Sequence, residues 1–323
     1  MTAWLVRRVA QAAVTFAIAV VLMFALMRLA PGDPLSRVQE SHPMSPAEMA
    51  RLRRIYHLDQ PIQRQFAEFV RGVLRADLGT SIEHGLPVTT LLAARLPPTL
   101  LLGGAAILLN FTLGLWLGVR QAVRRGSRED RTLTVLSLAG YATPSFWLGL
   151  VLAWLVGIEL GWLPVAGMRS PLLAPDAPWS RRALDVTAHL VLPALTLSIV
   201  TLAGTMRYQR AALLDVLRLP YIGTARAKGL PERAVVWRHA WRNALFPVIT
   251  LFGLWLQLLV TGSVFVEMVF AWPGLGSLAA SAASSRDYPL VMGAALLAAA
   301  LVVTASLLTD LAYALLDPRV RYS

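Results

Sequence analysis

The sequence contains no cysteine, and this absence removes several classes of chemistry. Disulfide bonds, thiolate metal sites and cysteine nucleophiles are excluded, because each needs the sulfur atom of this residue. Lysine is nearly absent, since Lys228 is the only one in the chain. A P-loop for nucleotide phosphates needs a lysine followed by serine or threonine, whereas Lys228 is followed by Gly229. We therefore expect no ATP-binding site in this chain.

Known catalytic patterns are missing as well. The five histidines are dispersed, and neither an H-E-x-x-H nor a G-x-S-x-G motif occurs. Acidic residues inside the apolar stretches are scarce, because Glu159 and Asp310 both fall near the ends of such stretches. A proton-coupled carrier usually keeps carboxylates deep within its helices. We expect no catalytic residues, no metal site and no cofactor bound by this chain.

The residues that are present are mainly apolar. Of the 323 residues, 56% are hydrophobic and only 15% are charged, and the mean hydropathy is +0.59. This composition is typical of a polytopic membrane protein and not of a soluble domain. A net charge of +12 could indicate a nucleic-acid partner. In a membrane protein it is better explained by arginines retained on the cytoplasmic side, so we expect no nucleic acid.

Six stretches are long enough to cross a bilayer, which takes about 20 apolar residues in a helix. They lie at about Val9–Ala30, Pro98–Val119, Leu133–Ile158, His189–Met206, Ala244–Val266 and Pro289–Leu315. Arg7 and Arg8 precede the first stretch as they would in a signal peptide. Its apolar run is too long for a signal peptide and no cleavage site follows, so we expect an uncleaved anchor. The predicted fold is all-α with six transmembrane helices.

Arginine placement predicts the orientation of these helices. Clusters lie at 120–131 and 207–242, whereas only Arg286 lies between the fifth and sixth stretches. The positive-inside rule then places both clusters and both termini in the cytoplasm. The 31–96 connection lies outside, because long connections translocate regardless of their charge. We expect a multi-pass protein of a bacterial cytoplasmic (inner) membrane, in contact with lipid.

Three segments are predicted along the chain: an N-terminal anchor at 1–30, a small helical extracytoplasmic loop at 31–96, and a five-span core at 97–323 that contains a cytoplasmic loop at 207–243. In the extracytoplasmic loop, Ser45–Glu48 reads S-P-A-E, which is a helix capping box. Apolar residues then recur at helical spacing, at Ile62, Phe66, Phe69, Val70, Val73 and Leu74. This apolar face fits either a lid packed on the spans or a docking surface for an external partner.

The cytoplasmic loop predicts two helices joined by a tight turn. Tyr221–Lys228 is compatible with a short helix, and Gly229 stands where a helix C′ residue belongs. Pro231 begins a second helix with Glu232 in its first turn. A helix lying on lipid should have a strong apolar face. Tyr221–Lys228 is small and polar instead, which suits insertion into a groove of another protein.

Polar residues within the spans offer candidates for a substrate pathway. They are Asn110, Thr250 and Gln257. The same residues could instead form hydrogen bonds between helices, and we favour that interpretation. Gly114 and Gly118 form a small-x-x-x-small face that permits close helix contact.

Several motifs, in order, resemble the permeases of binding-protein-dependent ABC importers, specifically the B-type subunit of the dipeptide/oligopeptide/nickel branch. The cytoplasmic loop supplies YIGTARAKGL at Tyr221–Leu230 and RHAWRNALFPV at Arg238–Val248. Other matching stretches are LMRLAPGDP at Leu26–Pro34, ADLGTS at Ala76–Ser81, ARLPPTL at Ala94–Leu100, RRGS at Arg124–Ser127, PSFWLG at Pro144–Gly149, GWLP at Gly161–Pro164 and LDPRVR at Leu316–Arg321.

This resemblance implies a type I ABC importer permease fold and a function. The chain would be the translocation subunit of an ATP-driven importer, paired with a homologous permease. Two ATPase subunits would hold ATP and Mg, and an extracytoplasmic binding protein would deliver di- or oligopeptides. The loop would be the coupling helix, and the residues carried over are Gly223, Thr224, Ala225, Arg226, Ala227, Lys228, Gly229, Leu230 and Glu232.

The loop departs from the general E-A-A-x-x-x-G pattern of such permeases. Gly223 replaces the glutamate and Thr224 the first alanine, whereas Ala225 and Gly229 match. Pro247 is the nearest substitute for a later proline. Two alternatives remain at this point. One is a passive channel or secondary carrier for small solutes, and the other is a membrane-embedded enzyme, which the missing catalytic motifs disfavour.

Overall fold

The computed structural model describes residues 2–29, 45–55, 59–245, 247–248, 251–255 and 264–316, and every regular element among them is helical. The first helices are α1 (Thr2–Leu29), α2 (Pro46–Ile55), α3 (Ile62–Leu74), α4 (Val88–Val123) and α5 (Arg128–Ala142). Next come α6 (Ser145–Leu152), which continues as the π-helical Ala153–Glu159, and α7 (Trp179–Val216). The predicted all-α fold is confirmed.

The predicted cytoplasmic loop and the described residues that follow it are largely helical too. They contain α8 (Pro220–Ala227) and a continuous segment α9, made of Glu232–Ala234, the π-helical Val235–Ala240 and Trp241–Ala244. Then follow α10 (Val264–Val269), α11 (Leu275–Ser284) and α12 (Tyr288–Leu316).

Four described helices are long and apolar enough to cross a membrane. They contain the candidate spans Trp4–Leu26, Val88–Val123, Trp179–Val216 and Tyr288–Leu311. A bent pair, Arg128–Ala142 with Ser145–Glu159, would make a fifth. The predicted fifth span, Ala244–Val266, lies largely outside the described residues, so the count of six stays a prediction.

The third predicted span, Leu133–Ile158, is not one straight helix. Helices α5 and α6 meet at an angle of 105°. Pro144 causes the break, because proline disfavours helical backbone in the residue before it. Thr143 accordingly has extended angles, φ −82° and ψ 128°, and Pro144 becomes the N-cap of α6.

Helix α7 extends well past the predicted His189–Met206. Its 38 residues span about 57 Å at 1.5 Å per residue, whereas the hydrocarbon core is about 30 Å thick. The excess length carries Arg207 and Arg210 away from the apolar centre of the helix. Three residues separate the end of α7 from the start of α8, so the helix connects its apolar span directly to the predicted cytoplasmic loop.

The chain divides into two compact units. The first comprises Met1–Pro97 and Gly274–Leu307. Its buried core joins the start of α4 to α11 and α12 through the side chains of Val88, Leu92, Leu275, Leu278, Ala282, Leu290 and Ala294. The predicted segments 1–30, 31–96 and 97–323 stay a prediction.

Within this first unit, the amphipathic helix α3 packs its aromatic residues on α1. The ring of Phe24 lies 5.2 Å from that of Phe66 and 5.7 Å from that of Phe69, measured between centroids. These contacts favour the lid interpretation of the apolar face. The capping box at the start of α2 is confirmed, because the Ser45 N–H donates to Glu48 Oε2 at 2.8 Å and the Glu48 N–H to Ser45 Oγ at 3.3 Å.

The second unit comprises Pro98–Pro273 and Leu308–Ser323. Here α4 and α7 touch along a seam, by which we mean the contact of Ala106, Asn110, Gly114 and Gly118 with Ser198, Thr201, Thr205 and Gln209. A Cβ atom on Gly114 would stand 2.9 Å from Thr205 Cγ2, and one on Gly118 would stand 2.7 Å from the Met206 carbonyl oxygen. Gly114 and Gly118 therefore provide the close approach predicted for them.

Candidate functional site

The predicted cytoplasmic loop forms a hairpin of two helices, α8 and α9, and a two-helix hairpin is what the sequence predicts. Pro220 occupies the first turn of α8, where its missing N–H costs no hydrogen bond. Pro231 is the N-cap of α9, and Glu232 lies in its first turn, where a negative charge favours the helix dipole. We call residues 220–244 the coupling hairpin, after the role that the sequence resemblance implies for them.

The turn of the hairpin is a Schellman motif centred on Gly229. The Gly229 N–H donates to the Arg226 carbonyl at 2.9 Å, and the Leu230 N–H donates to the Ala225 carbonyl at 3.4 Å. Gly229 has φ +75°, a conformation that an L side chain disfavours. No atom would lie within 4 Å of a Cβ added there, so backbone geometry alone requires this glycine.

One ion pair bridges the turn. Arg226 donates from Nη2 to Glu232 Oε1 at 2.7 Å and from Nε to Oε2 at 3.1 Å. This bidentate contact lowers the pKa of the Glu232 carboxyl below its usual range and raises that of Arg226. Both side chains are exposed, so water screens the pair and its stabilising effect is modest.

Two side chains of α8 anchor the hairpin to the rest of the second unit. Ile222 and Ala225 are buried, with relative exposures of 0% and 8%. They join a cluster that links the ends of α4 and α7 to α9, formed with Val119, Ala122, Ala212, Leu213, Val235, Val236, Ala240 and Ala244. Sequence reasoning missed Ile222, although its spacing of three from Ala225 is a signal for a shared inner face.

The remaining predicted coupling residues face outward. Gly223, Thr224, Arg226, Ala227, Lys228, Gly229, Leu230 and Glu232 are all exposed. Ala225 differs from them, because it packs inside its own chain. The outer face of α8 thus combines the small residues Gly223, Thr224 and Ala227 with Arg226, and the exposed Lys228 and Leu230 follow in the turn. Tyr221 closes the base of the hairpin, where its Oη accepts from Asn243 Nδ2 at 2.7 Å.

An ion pair and hydrogen bonds hold the neighbouring loop at 120–131. Arg210 on α7 donates to the nearly buried Asp130 at the start of α5, from Nε at 3.1 Å and from Nη2 at 3.0 Å. Asp130 also accepts the Gly126 N–H at 2.9 Å, while Ser127 caps α5 through the Asp130 N–H. The start of α5 and the C-terminal part of α7 are therefore connected by charge as well as by packing.

The pathway candidates have different outcomes. Thr250 and Gln257 lie outside the described residues. Asn110 is 2% exposed, and its side chain donates to Thr201 and accepts from Thr205 Oγ1 at 2.5 Å. These bonds support the interpretation as an interhelical contact, although Asn110 also borders a cavity. Its role in transport stays a prediction.

That cavity has a volume of about 360 Å³ and lies entirely within the second unit. Its walls are mostly apolar, and its polar lining comes from Thr99, Asn110, Ser145, Thr201 and Glu267. Sequence reasoning missed Glu267, because the predicted fifth span ended at Val266. The available signal was a single acid in the otherwise apolar run VFVEMVF.

One group of residues could in principle hold a metal ion. Ligand atoms of Glu83, His84 and Asp287, in the first unit, lie within 4.8 Å of one another. Asp287 already has structural partners, since its Oδ2 accepts from Ser81 Oγ at 2.5 Å and from the Glu83 N–H at 3.1 Å. Its Oδ1 accepts the Leu290 N–H at 3.2 Å, which caps α12. These hydrogen bonds give the Asp287 carboxylate a structural role at the start of α12.

These features define a class of protein: a polytopic helical membrane protein with a helical hairpin between two of its long apolar helical segments and no Walker A motif in its sequence. Comparison with known families agrees. Residues 110–322 match the binding-protein-dependent transport system inner membrane component, and residues 1–103 match the N-terminal model of such membrane components. The chain belongs to this family and is a permease subunit, which decides against the passive-channel and enzyme alternatives.

Similar curated proteins cover the whole chain. It is 39% identical over 323 residues to the oligopeptide transport system permease protein AppB of Bacillus subtilis, with 100% of both chains covered. It is also 39% identical to the di/tripeptide transport system permease protein DppB of Pseudomonas aeruginosa, over 100% of this chain and 99% of that one. The dipeptide transport system permease protein DppB of Escherichia coli is 36% identical at the same coverage.

Proposed function

We propose that this permease subunit imports di- or oligopeptides and that the coupling hairpin receives the movement that drives import. The relatives that cover the whole chain are named for peptide transport, which supports the cargo class. The work would come from two partner ATPase subunits that bind ATP and Mg. A homologous permease would complete the pathway, and an extracytoplasmic binding protein would deliver the peptide.

The observation that carries this proposal is the two-sided construction of α8. Its inner face, Ile222 and Ala225, is buried against the ends of the long helices α4 and α7. Its outer face is exposed and consists mostly of the small residues Gly223, Thr224 and Ala227, with Arg226 held against Glu232, which would let another protein's groove approach closely. A force applied to the outer face would therefore pass through a packed cluster to both spanning helices, as a lever requires.

Gly229 provides the test, because its substitution strains the backbone without creating a clash. Gly229→Val should cost roughly 1–2 kcal/mol of local backbone strain and re-aim α8. We expect ATP-driven peptide uptake by the complex in proteoliposomes to fall at least tenfold, and ATP hydrolysis to stop responding to loaded binding protein. Membrane insertion should remain normal, because the turn lies outside the spans.

Gly126→Val is the matched control. Gly126 has φ +79°, and a Cβ there would also meet no atom within 4 Å. Gly126 lies in the other arginine-rich loop, so a valine there imposes the same backbone strain outside the hairpin. Equal loss of uptake in both variants, or wild-type uptake by Gly229→Val, would remove the hairpin from its proposed role.

The proposed orientation, with both termini in the cytoplasm, has a separate test. The natural chain has no cysteine, so an introduced one gives a clean signal. Thr224 and Glu83 are both exposed within the chain. In intact cells, Glu83→Cys should react with an impermeant maleimide and Thr224→Cys should react only after lysis. The reverse pattern would invert the topology and place the hairpin out of reach of any cytoplasmic ATPase.

A further inference from the structure

Helix α9 has an exposed side that is basic and aromatic, and the proposed coupling mechanism does not use it. Its residues recur at intervals of four or five along the helix, which places them on one side. We call them the Arg–Trp face: Arg233, Trp237, Arg238 and Arg242. The other side of α9 is buried, since Val235 and Ala240, both 0% exposed, belong to the cluster that joins α8 to the ends of α4 and α7. The helix is therefore fixed with its basic side outward.

The three arginines of this face have no acidic partner among the described residues. Other arginines of the chain do have one, because Arg120, Arg124, Arg210 and Arg226 all form salt bridges with carboxylates. The coupling hairpin contains a single acid, Glu232, and both of its oxygens accept from Arg226. The Arg–Trp face therefore presents three positive charges that a partner outside the described structure could neutralise.

A tryptophan lies among these charges. The Trp237 side chain is 41% exposed, and its ring packs edge-on against that of Trp241 with the centroids 5.4 Å apart. Tryptophan is enriched where a membrane meets water, because its ring is apolar and its N–H is polar. Helix α9 ends at Ala244, where the apolar run of the predicted fifth span begins. A helix that leads directly into such a run lies at the level of the lipid headgroups.

We propose that the Arg–Trp face binds the headgroup of an anionic phospholipid, with its guanidinium groups at the phosphate and Trp237 at the boundary with the acyl chains. A guanidinium group can donate two parallel hydrogen bonds to phosphate oxygens. Basic residues next to a membrane also attract anionic lipid through their charge. The bound lipid would hold α9 at the membrane surface and leave the outer face of α8 free. This contact does not depend on the cargo of the importer.

Two other interpretations of the same arginines give different expectations. If they only follow the positive-inside rule, any arginine-rich loop of the chain should attract anionic lipid equally well. If they bind an acidic surface of an ATPase subunit, their removal should release that subunit and leave lipid binding unchanged. Only a lipid site on α9 requires both the charges and the tryptophan of this face.

The experiment titrates the detergent-purified full-length chain with phosphatidylglycerol or with phosphatidylcholine, and native mass spectrometry counts the bound lipids. We expect the wild type to bind its first phosphatidylglycerol about tenfold more tightly than its first phosphatidylcholine. The double variant Arg238→Gln/Arg242→Gln should bind the two lipids within about twofold of each other, because one charge of the face remains. Trp237→Ala should weaken binding of both lipids and keep the preference, because the indole ring carries no charge.

The matched control is the double variant Arg128→Gln/Arg131→Gln. Both arginines are exposed and form no ion pair within the described part of the chain, and they lie in α5, which contains no tryptophan. This variant should retain the tenfold preference for phosphatidylglycerol. Equal binding of the two lipids by the wild type would overturn the proposal. An equal loss of preference in both double variants would overturn it too, because net charge alone would then explain the binding.

A second measurement, on the assembled importer, distinguishes lipid from an ATPase subunit as the partner. Arg238→Gln/Arg242→Gln should retain the ATPase subunits in size-exclusion chromatography, since the proposed contact with them is made by α8. Loss of these subunits together with an unchanged lipid preference would assign the Arg–Trp face to a protein contact and contradict the proposal. The substituted arginines form no ion pair among the described residues, so we expect each variant to fold with an unchanged apparent melting temperature.

Discussion

The coupling hairpin and the α4–α7 seam use glycine for opposite reasons. In the hairpin, Gly229 has φ +75° and a Cβ there would meet nothing within 4 Å. In the seam, Gly118 is an ordinary helical residue, but a Cβ would stand 2.7 Å from the Met206 carbonyl oxygen and 2.8 Å from Gln209 Cβ. The first glycine permits a backbone shape, and the second permits two helices to touch.

The polar residues of the two regions differ in the same way. In the seam, the Ser198 hydroxyl donates to the Ala106 carbonyl at 3.0 Å and the Thr205 hydroxyl donates to Asn110 at 2.5 Å. These polar groups are therefore hydrogen-bonded within the chain. On the outer face of the hairpin, Thr224 and Lys228 are exposed. The polar groups of the seam are thus paired within the chain, whereas the outer face of the hairpin is exposed, as the proposed contact with another protein requires. The proposed coupling function would use both kinds of region.

The largest predicted effect on stability comes from Gly118→Ala. The added methyl group would press on backbone, which cannot rotate away, so α4 and α7 must separate at a cost of about 1–3 kcal/mol. We expect a lower apparent melting temperature for the detergent-purified protein, measured by tryptophan fluorescence. We also expect lower yields of monodisperse protein.

Gly104→Ala is the control on the same helix. No atom lies within 4 Å of a Cβ at Gly104, and alanine is the better helix former. Its melting temperature should equal or exceed that of the wild type. If the two alanine variants melt alike, the seam tolerates an extra methyl group, and the contrast between the two uses of glycine fails.

The hairpin was predictable because its signals are local. Glycine at C′, proline at the next helix start and an acid in the first turn act over ten residues of chain. The S-P-A-E capping box and the small-x-x-x-small face are local patterns of the same kind. All of them have the predicted structural consequence, including the positive φ of Gly229.

The partners of the seam were not predictable, because they lie about 90 residues away in sequence. Asn110 was a polar residue in an apolar run, and nothing nearby identifies Thr201 and Thr205 as its partners. Hydropathy also did not predict the 105° bend at Pro144, because the residues on both sides of the bend are apolar on average. Glu267 was missed because a single charged residue at the edge of an apolar run was interpreted as the end of the transmembrane span.

The smallest predicted effect tests the ion pair of the hairpin, where exposure limits what a charge can contribute. Arg226 lowers the pKa of Glu232, so the pair stabilises the turn above the ordinary glutamate pKa of about 4.3. That contribution is lost as the pH falls through the lowered pKa, because the protonated carboxyl no longer attracts the guanidinium group. Glu232→Gln should therefore destabilise the turn by about 0–1 kcal/mol at pH 7.

Global melting is a poor measure of so local a change, so hydrogen exchange of the amides in α8 and its turn is the appropriate measurement. Gly229 and Leu230 N–H, which close the Schellman motif, should exchange up to about fivefold faster in Glu232→Gln at pH 7 and low salt. At 1 M salt, where the Debye length is about 3 Å, the difference from the wild type should shrink. Glu159→Gln should change neither value. If these two amides exchange more than tenfold more slowly in the wild type than in Glu232→Gln, the hairpin depends on this charge pair. Its exposed face would then resemble the seam, whose polar groups are paired within the chain.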